Sequence, residues 1–205
     1  MKQKISILCP VYNSMEWLPK LILTIPFDLA YEVIFIDDGS MDGSVGYLSE
    51  ECSKHKNMWV KCNPINKGSS ETYNSLLGYA CGDYIAMIDS DDYYLLGIRD
   101  VLKEVDGTYD IYYYNMEVKN GTTIETDPNA QIYSGNFKVI KREFLGDSRY
   151  GSGADGDYVL YKQLLAKNPK EKHTGIFAYW YNFPREHSVN WEFRERLGLD
   201  HNDLQ

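Results

Sequence analysis

Asp89, Asp91 and Asp92 fall within four positions, directly after the apolar and aromatic run Tyr84-Ile85-Ala86-Met87-Ile88. Carboxylates gathered this closely repel one another unless a cation or solvent relieves them. One reading of the cluster is a solvated acidic turn or helix cap, and the other is a metal site. A second acidic pair, Asp37-Asp38, ends another apolar run, and Asp155 and Asp157 flank Gly156 in the Gly- and Asp-rich stretch SRYGSGADGDY.

The elements that must position these groups follow from the hydrophobic pattern. Residues 4–9, 31–37, 58–62 and 84–88 are β-rich runs. Residues 14–25 put Trp17, Leu18, Leu21, Ile22 and Ile25 on one helical face behind a Ser14 cap, with Pro19 in the tolerant first turns. Further helices are expected over 44–54, capped by Ser40 or Asp42, and over 69–81. Near-continuous apolar strands between helices require a parallel sheet covered on both faces, an open α/β fold whose ligands gather at the carboxyl ends of the strands. Pro10, Tyr12 and Asn13 follow the first strand, Asp37 and Asp38 end the second, residues 63–68 follow the third, and residues 89–92 follow the fourth. All four sets project toward one rim. The second half is less regular: a hairpin over 111–118 and TTIET around Asn120-Gly121, a strand or loop through 131–140, a helix over 157–167, a strand over 173–183 and an amphipathic segment at 191–199.

At 205 residues the chain has the length of one domain. A hydrophobic content of 43% and a charged content of 25% exclude disorder. No apolar run approaches the ~18 to 20 residues of a membrane span. Pro10 and Asn13 interrupt the first apolar run before a signal-peptide core could form, so a cytoplasmic protein is expected. The net charge of −9 disfavours a broad electrostatic grip on nucleic acid or anionic lipid. Cys9, Cys52, Cys62 and Cys81 lack CxxC spacing and read as reduced, with Cys9 and Cys81 as buried thiols.

In order and separation, CPVYNSMEWL (9–18), FIDDGSMDGS (35–44) and NKGSSETYNSLLGYACGDYIAMIDSDD (66–92) resemble the nucleotide-sugar half of the family 2 inverting glycosyltransferases. The likeness covers residues 4–96 and, more loosely, 150–190. It implies the GT-A fold, a mostly parallel α/β sheet flanked by helices with a small antiparallel element in the second half. It also implies a single domain over 1–205, with 1–96 binding the nucleotide sugar and 97–205 facing the acceptor. The implied partners are a small-molecule nucleotide sugar and an acceptor glycan. A hydroxylated base of modified DNA is a rival acceptor, and a catalytically silent nucleotide-sugar-binding domain is a rival from another class.

The same resemblance distributes roles. Asp89-Ser90-Asp91 matches the DXD motif that holds a divalent ion on the donor diphosphate, and its hard oxygens suit Mn2+ or Mg2+. Asp91 would ligate directly, Asp89 would face the ribose or a metal-bound water, and Asp92 would stand behind them or face the acceptor. Asp37 and Asp38 would contact the nucleotide, with Asp38 favoured to accept the base N3–H, a pattern that favours UDP. Pro10 and Tyr12 would line the base pocket, while Lys67 and Asn74 would lie against the nucleotide. Tyr73 stands where many relatives carry an Arg. Asp155 matches the general base, with Ala154 in place of the usual Glu and Asp157 as the rival base. Each of these acids also suits a helix N-terminus. His187 would be a third metal or diphosphate ligand and Arg185 a weaker diphosphate contact.

Overall fold

The computed structural model describes residues 2–127, 135–153 and 155–184. The four expected strands form as β1 (Ile5–Val11), β2 (Glu32–Asp37), β3 (Met58–Cys62) and β4 (Tyr84–Met87). Between them run α1 (Leu18–Thr24), α2 (Ser44–Lys54) and α3 (Ser69–Tyr79). All residues of β2 and β4 are buried, β4 being wholly apolar or aromatic and β2 carrying an apolar run, residues 33–36, between Glu32 and Asp37. β3 lies at one edge of the sheet, and Trp59 on it is 60% exposed.

The second half comprises β5 (Tyr93–Tyr94), α4 (Ile98–Glu104), β6 (Ile111–Val118), β7 (Thr123–Ile124), β8 (Lys138–Lys141), α5 (Arg142–Leu145), α6 (Gly156–Leu165) and β9 (Glu171–Tyr181). The strand order is β3-β2-β1-β4-β8-β6-β9-β5, with β7 pairing β6. β1 to β4 pair in parallel with one another, as does β6 with β9. β8 runs antiparallel between β4 and β6 and so joins both halves into one sheet. Antiparallel pairing therefore extends beyond the expected hairpin, which does form between β6 and β7.

Several local expectations change. Ser14 is not the cap of α1: its hydroxyl lies 2.6 Å from that of Ser90 and donates to the Tyr12 carbonyl, and the helix proper begins four residues later. A hydroxyl engaged across two strand ends is unavailable to a helix. The N-cap of α2 is Gly43, not Ser40 or Asp42, with no side-chain cap bond; Asp42 accepts from the Ser44 amide at 3.0 Å and from the Met15 amide at 2.8 Å, tying the loop after β2 to that after β1. Cys9 is buried, but Cys81 is exposed in the turn beyond α3. All four cysteines are unpaired thiols. Among the described residues no helix is long and apolar enough to cross a membrane.

Candidate active site

The carboxyl ends of β1, β2 and β4, with the start of α6, form the rim that carries the predicted residues. β1 ends in a loop tied to the one after β2: the Asn13 amide donates to Ser40 Oγ at 2.8 Å, and Asn13 Oδ1 accepts from the Met41 amide at 2.9 Å. Pro10 is half-buried there, and the Tyr12 ring is 48% exposed. Gly39 makes the turn after β2 with φ +81°, and a Cβ on it would stand 2.9 Å from the Asn66 amide nitrogen.

The two acids ending β2 have different partners. Asp38 is fully engaged by the 63–68 loop, accepting from Asn63 Nδ2 at 2.7 Å, from the Lys67 amide at 3.0 Å on both oxygens, and from the Gly68 amide at 2.9 Å. Its carboxylate shapes that loop, which leaves the expected base contact without a free oxygen. Asp37 accepts the Gly39 and Ser40 amides on Oδ2, while Oδ1 is buried with no hydrogen-bond partner among the described residues. Lys67 directs its amine toward Glu71, 3.8 Å away on the half-exposed surface of α3.

Asp89 sits between two donors. Tyr73 donates its hydroxyl to Oδ1, and Asn136 Nδ2 donates to Oδ2 at 2.9 Å. Burial pushes the Asp89 carboxyl up to about 7, the Asp91 charge adds to this, and the Tyr73 and Asn136 bonds oppose it. Asp91 is half-exposed at the rim. Ser90 is spent on Ser14. Asp92, with 2% exposure, belongs to the framework: it accepts the Tyr179 hydroxyl at 2.5 Å and the Asn182 amide at 2.8 Å, fastening the end of β9 beneath the acidic loop. Burial, followed by the Asp91 and Asp89 charges, raises the Asp92 carboxyl well above the usual range.

Asn74 differs from its expected place on the nucleotide. Its amide is used at both ends by the Tyr150 backbone, donating at 3.0 Å and accepting at 2.8 Å, so it clamps the segment that enters α6. Tyr73 stacks on Tyr150 with centroids 4.5 Å apart. At the start of α6, Asp155 is exposed, whereas Asp157 is half-buried. The Asp157 charge contributes to raising Asp89 and Tyr150 and opposes the lowering of Lys138, so it lies within electrostatic reach of all three. Arg185, His187 and Ala154 lie outside the described residues.

Among the described residues no three His, Cys, Asp or Glu side chains are grouped closely enough to hold a metal by themselves. The oxygen-only pair Asp89 and Asp91 nevertheless fits a hard divalent ion of the kind that takes one or two protein carboxylates and fills its shell with phosphate and water. Burial first and the Asp91 charge second raise Asp89, and a cation at the pair would offset both. Sequence reasoning missed Tyr73 as a partner of Asp89, and also Asn136, Tyr179 and Asn182. Only Tyr73 had a signal, a hydroxyl at a position where many relatives carry a cation.

The family model described as "Glycosyl transferase family 2" matches residues 6–167. The poly(ribitol-phosphate) beta-glucosyltransferase of Bacillus spizizenii is 40% identical across 89% of this chain and 33% of its own length. An uncharacterized glycosyltransferase of Haemophilus influenzae is 39% identical across 43% of this chain and 36% of its own. The chain thus spans about a third of these curated relatives. Among solved structures, S. aureus TarS 1-349 in complex with UDP-GlcNAc superposes with a TM-score of 0.76 at 20% identity, over 91% of this chain and 60% of that one. The mannosyltransferase PcManGT of Pyrobaculum calidifontis, in complex with GDP-Man and Mn2+, gives 0.73 at 16%, over 95% and 61%. These two share the fold. With the family model covering most of its length and the GT-A architecture in its sheet, the chain belongs to glycosyl transferase family 2.

Proposed function

We propose that this chain transfers a sugar, with inversion, from a UDP-linked donor to a hydroxyl of a surface glycan, with Mn2+ or Mg2+ bound at Asp91 and Asp89. The observation that carries the reading is the convergence of Asp37 from β2, Asp89 and Asp91 from the end of β4, and Asp157 from α6 on one rim. Such a rim supplies a base pocket, a diphosphate site and an acid on the acceptor side. A glycan acceptor is in keeping with the printed activity of the Bacillus relative. Because the two halves share one sheet, we read them as a single catalytic domain.

Pro10 and the exposed Tyr12 ring border the base. Asp37, with its unpartnered oxygen, suits the imide N–H of uracil better than Asp38, which instead holds the 63–68 loop in place. Tyr73 and Asn136 fix the Asp89 carboxylate, so its orientation does not have to be organised when the donor arrives. When bound, the divalent ion supplies charge neutralisation at the leaving diphosphate. Asp157 takes the proton of the attacking hydroxyl. It is favoured over Asp155 because it is half-buried and its charge acts on Asp89, whereas Asp155 is exposed.

The test is release of UDP from a panel of sugar nucleotides, with and without Mn2+ or Mg2+. One sugar nucleotide should be hydrolysed slowly in a metal-dependent way, and Asp91→Ala should lose both hydrolysis and metal-dependent UDP binding. Absence of hydrolysis with every donor, alongside intact nucleotide binding, would favour a silent binding domain.

A further inference from the structure

A second concavity opens beside Asp91, on the side of the sheet that carries α1, with a volume of about 170 Å³. Its wall is aromatic. Tyr93 of β5 and Trp180 of β9 are register partners, and their rings stack with centroids 4.3 Å apart and planes 13° apart. Trp17, just before α1, lines the same cleft. Lys20 Nζ lies 3.8 Å from the Tyr93 centroid and 5.0 Å from that of Trp180, which braces the pair. A wall fixed by strand pairing and a cation is ordered before any ligand arrives, which lowers the entropic cost of binding.

The polar groups around this wall are of mixed kind. The Glu16 and Asp91 carboxylates accept, the Lys20 amine donates, and the Asn182 amide can do both. Acids outnumber the one lysine among these lining groups, so a phosphate or a nucleic acid backbone is disfavoured. At ~30 Å³ per water the cleft has room for about six waters, the scale of one sugar ring. Flat aromatic surface next to interleaved donors and acceptors is the complement of a neutral pyranose, which has apolar C–H faces and a hydroxyl edge.

We propose that this cleft is a subsite for one neutral sugar ring of the acceptor glycan, stacked on an outer face of the Tyr93–Trp180 pair and hydrogen-bonded by Glu16 and Asn182. It rests on the reading of Asp91 as the donor end of the site, because sharing Asp91 is what places this ring beside the transferred sugar. The rings that bind it can come from a glycan chain or from a free sugar.

Titration of the full chain with cellotriose, chitotriose and glucose, followed by tryptophan fluorescence, tests the proposal. The expected result is a saturable change with a trisaccharide, weaker with glucose, whose affinity drops about tenfold in Glu16→Ala and in Trp180→Leu, the loss of one good contact. Glu16 is exposed, so its variant folds even if Trp180→Leu disturbs β5. No saturable change with any of the three sugars, or an unchanged affinity in Glu16→Ala, overturns the proposal, as does displacement of the trisaccharide by inorganic phosphate. UDP release by the wild type reports separately on the donor site, so loss of sugar binding with donor hydrolysis intact sinks only this subsite.

Discussion

Lys138 on β8 is 6% exposed, its amine donating to the Gly135 carbonyl, and burial lowers its pKa to about 8 while the Asp157 charge partly opposes this. Below that value both the folded and unfolded chains hold the proton, and the buried charge destabilises the fold by on the order of 3 kcal/mol. As pH rises from about 8 toward the ~10.4 of an unfolded lysine, the folded chain has released its proton and the unfolded chain has not, so stability rises. Denaturation across that window should show the rise in the parent, and Lys138→Met should flatten it without loss of stability at neutral pH. The choice of base is tested at the same scale: Asp157→Asn should lower transfer by roughly 10²- to 10⁴-fold, with UDP binding kept. Asp155→Asn should change transfer much less, and the reverse ranking would restore Asp155 as the base. The acids themselves were legible in the sequence, but their division of labour was not. Asp38, Asp92 and Asn74 have side chains suited to a ligand, yet each is spent on backbone amides or hydroxyls brought to it by distant segments.

At the scale of elements, α6 owes its position to close approach. A Cβ on Gly156 would stand 2.5 Å from Ser70 Oγ and 2.6 Å from the Gly151 carbonyl oxygen, and the second obstacle is backbone. Gly156→Ala should therefore push the start of α6 away from α3. A displacement of about 1 Å is enough to cost ~10²-fold in rate, while UDP affinity, which depends on β1, β2 and β4, should hold; a parallel loss of both would point to general unfolding. Asn74→Ala removes both clamps on Tyr150 and should lower stability by about 1–3 kcal/mol in urea denaturation. The repeating strands and helices of the first half were readable because β1, β2, β4, α1 and α3 bury clusters of apolar residues. β5, α4 and α5 were not: the first is two residues long and exists through pairing with β9, and the helices are short, seven and four residues.

Taken whole, the molecule carries a net charge of −9, which disfavours a broad electrostatic grip on the phosphate backbone. Duplex DNA, modified or not, should give no electrophoretic shift at ~0.15 M ionic strength; a shift that weakens steeply with salt would revive a DNA acceptor. The sequence by itself determined the parallel half of the sheet, the rim on which its polar residues gather and the family, because alternation of buried strands with helices and the spacing of short motifs are local properties of the chain. Only the tertiary structure decided how β8 joins the two halves, which carboxylates remain available for chemistry, and that an aromatic cleft adjoins Asp91. Those outcomes depend on pairings, hydrogen bonds and ring contacts between segments separated in sequence, such as Asn74 with Tyr150 and Asp92 with Tyr179, and no periodicity within either segment encodes them.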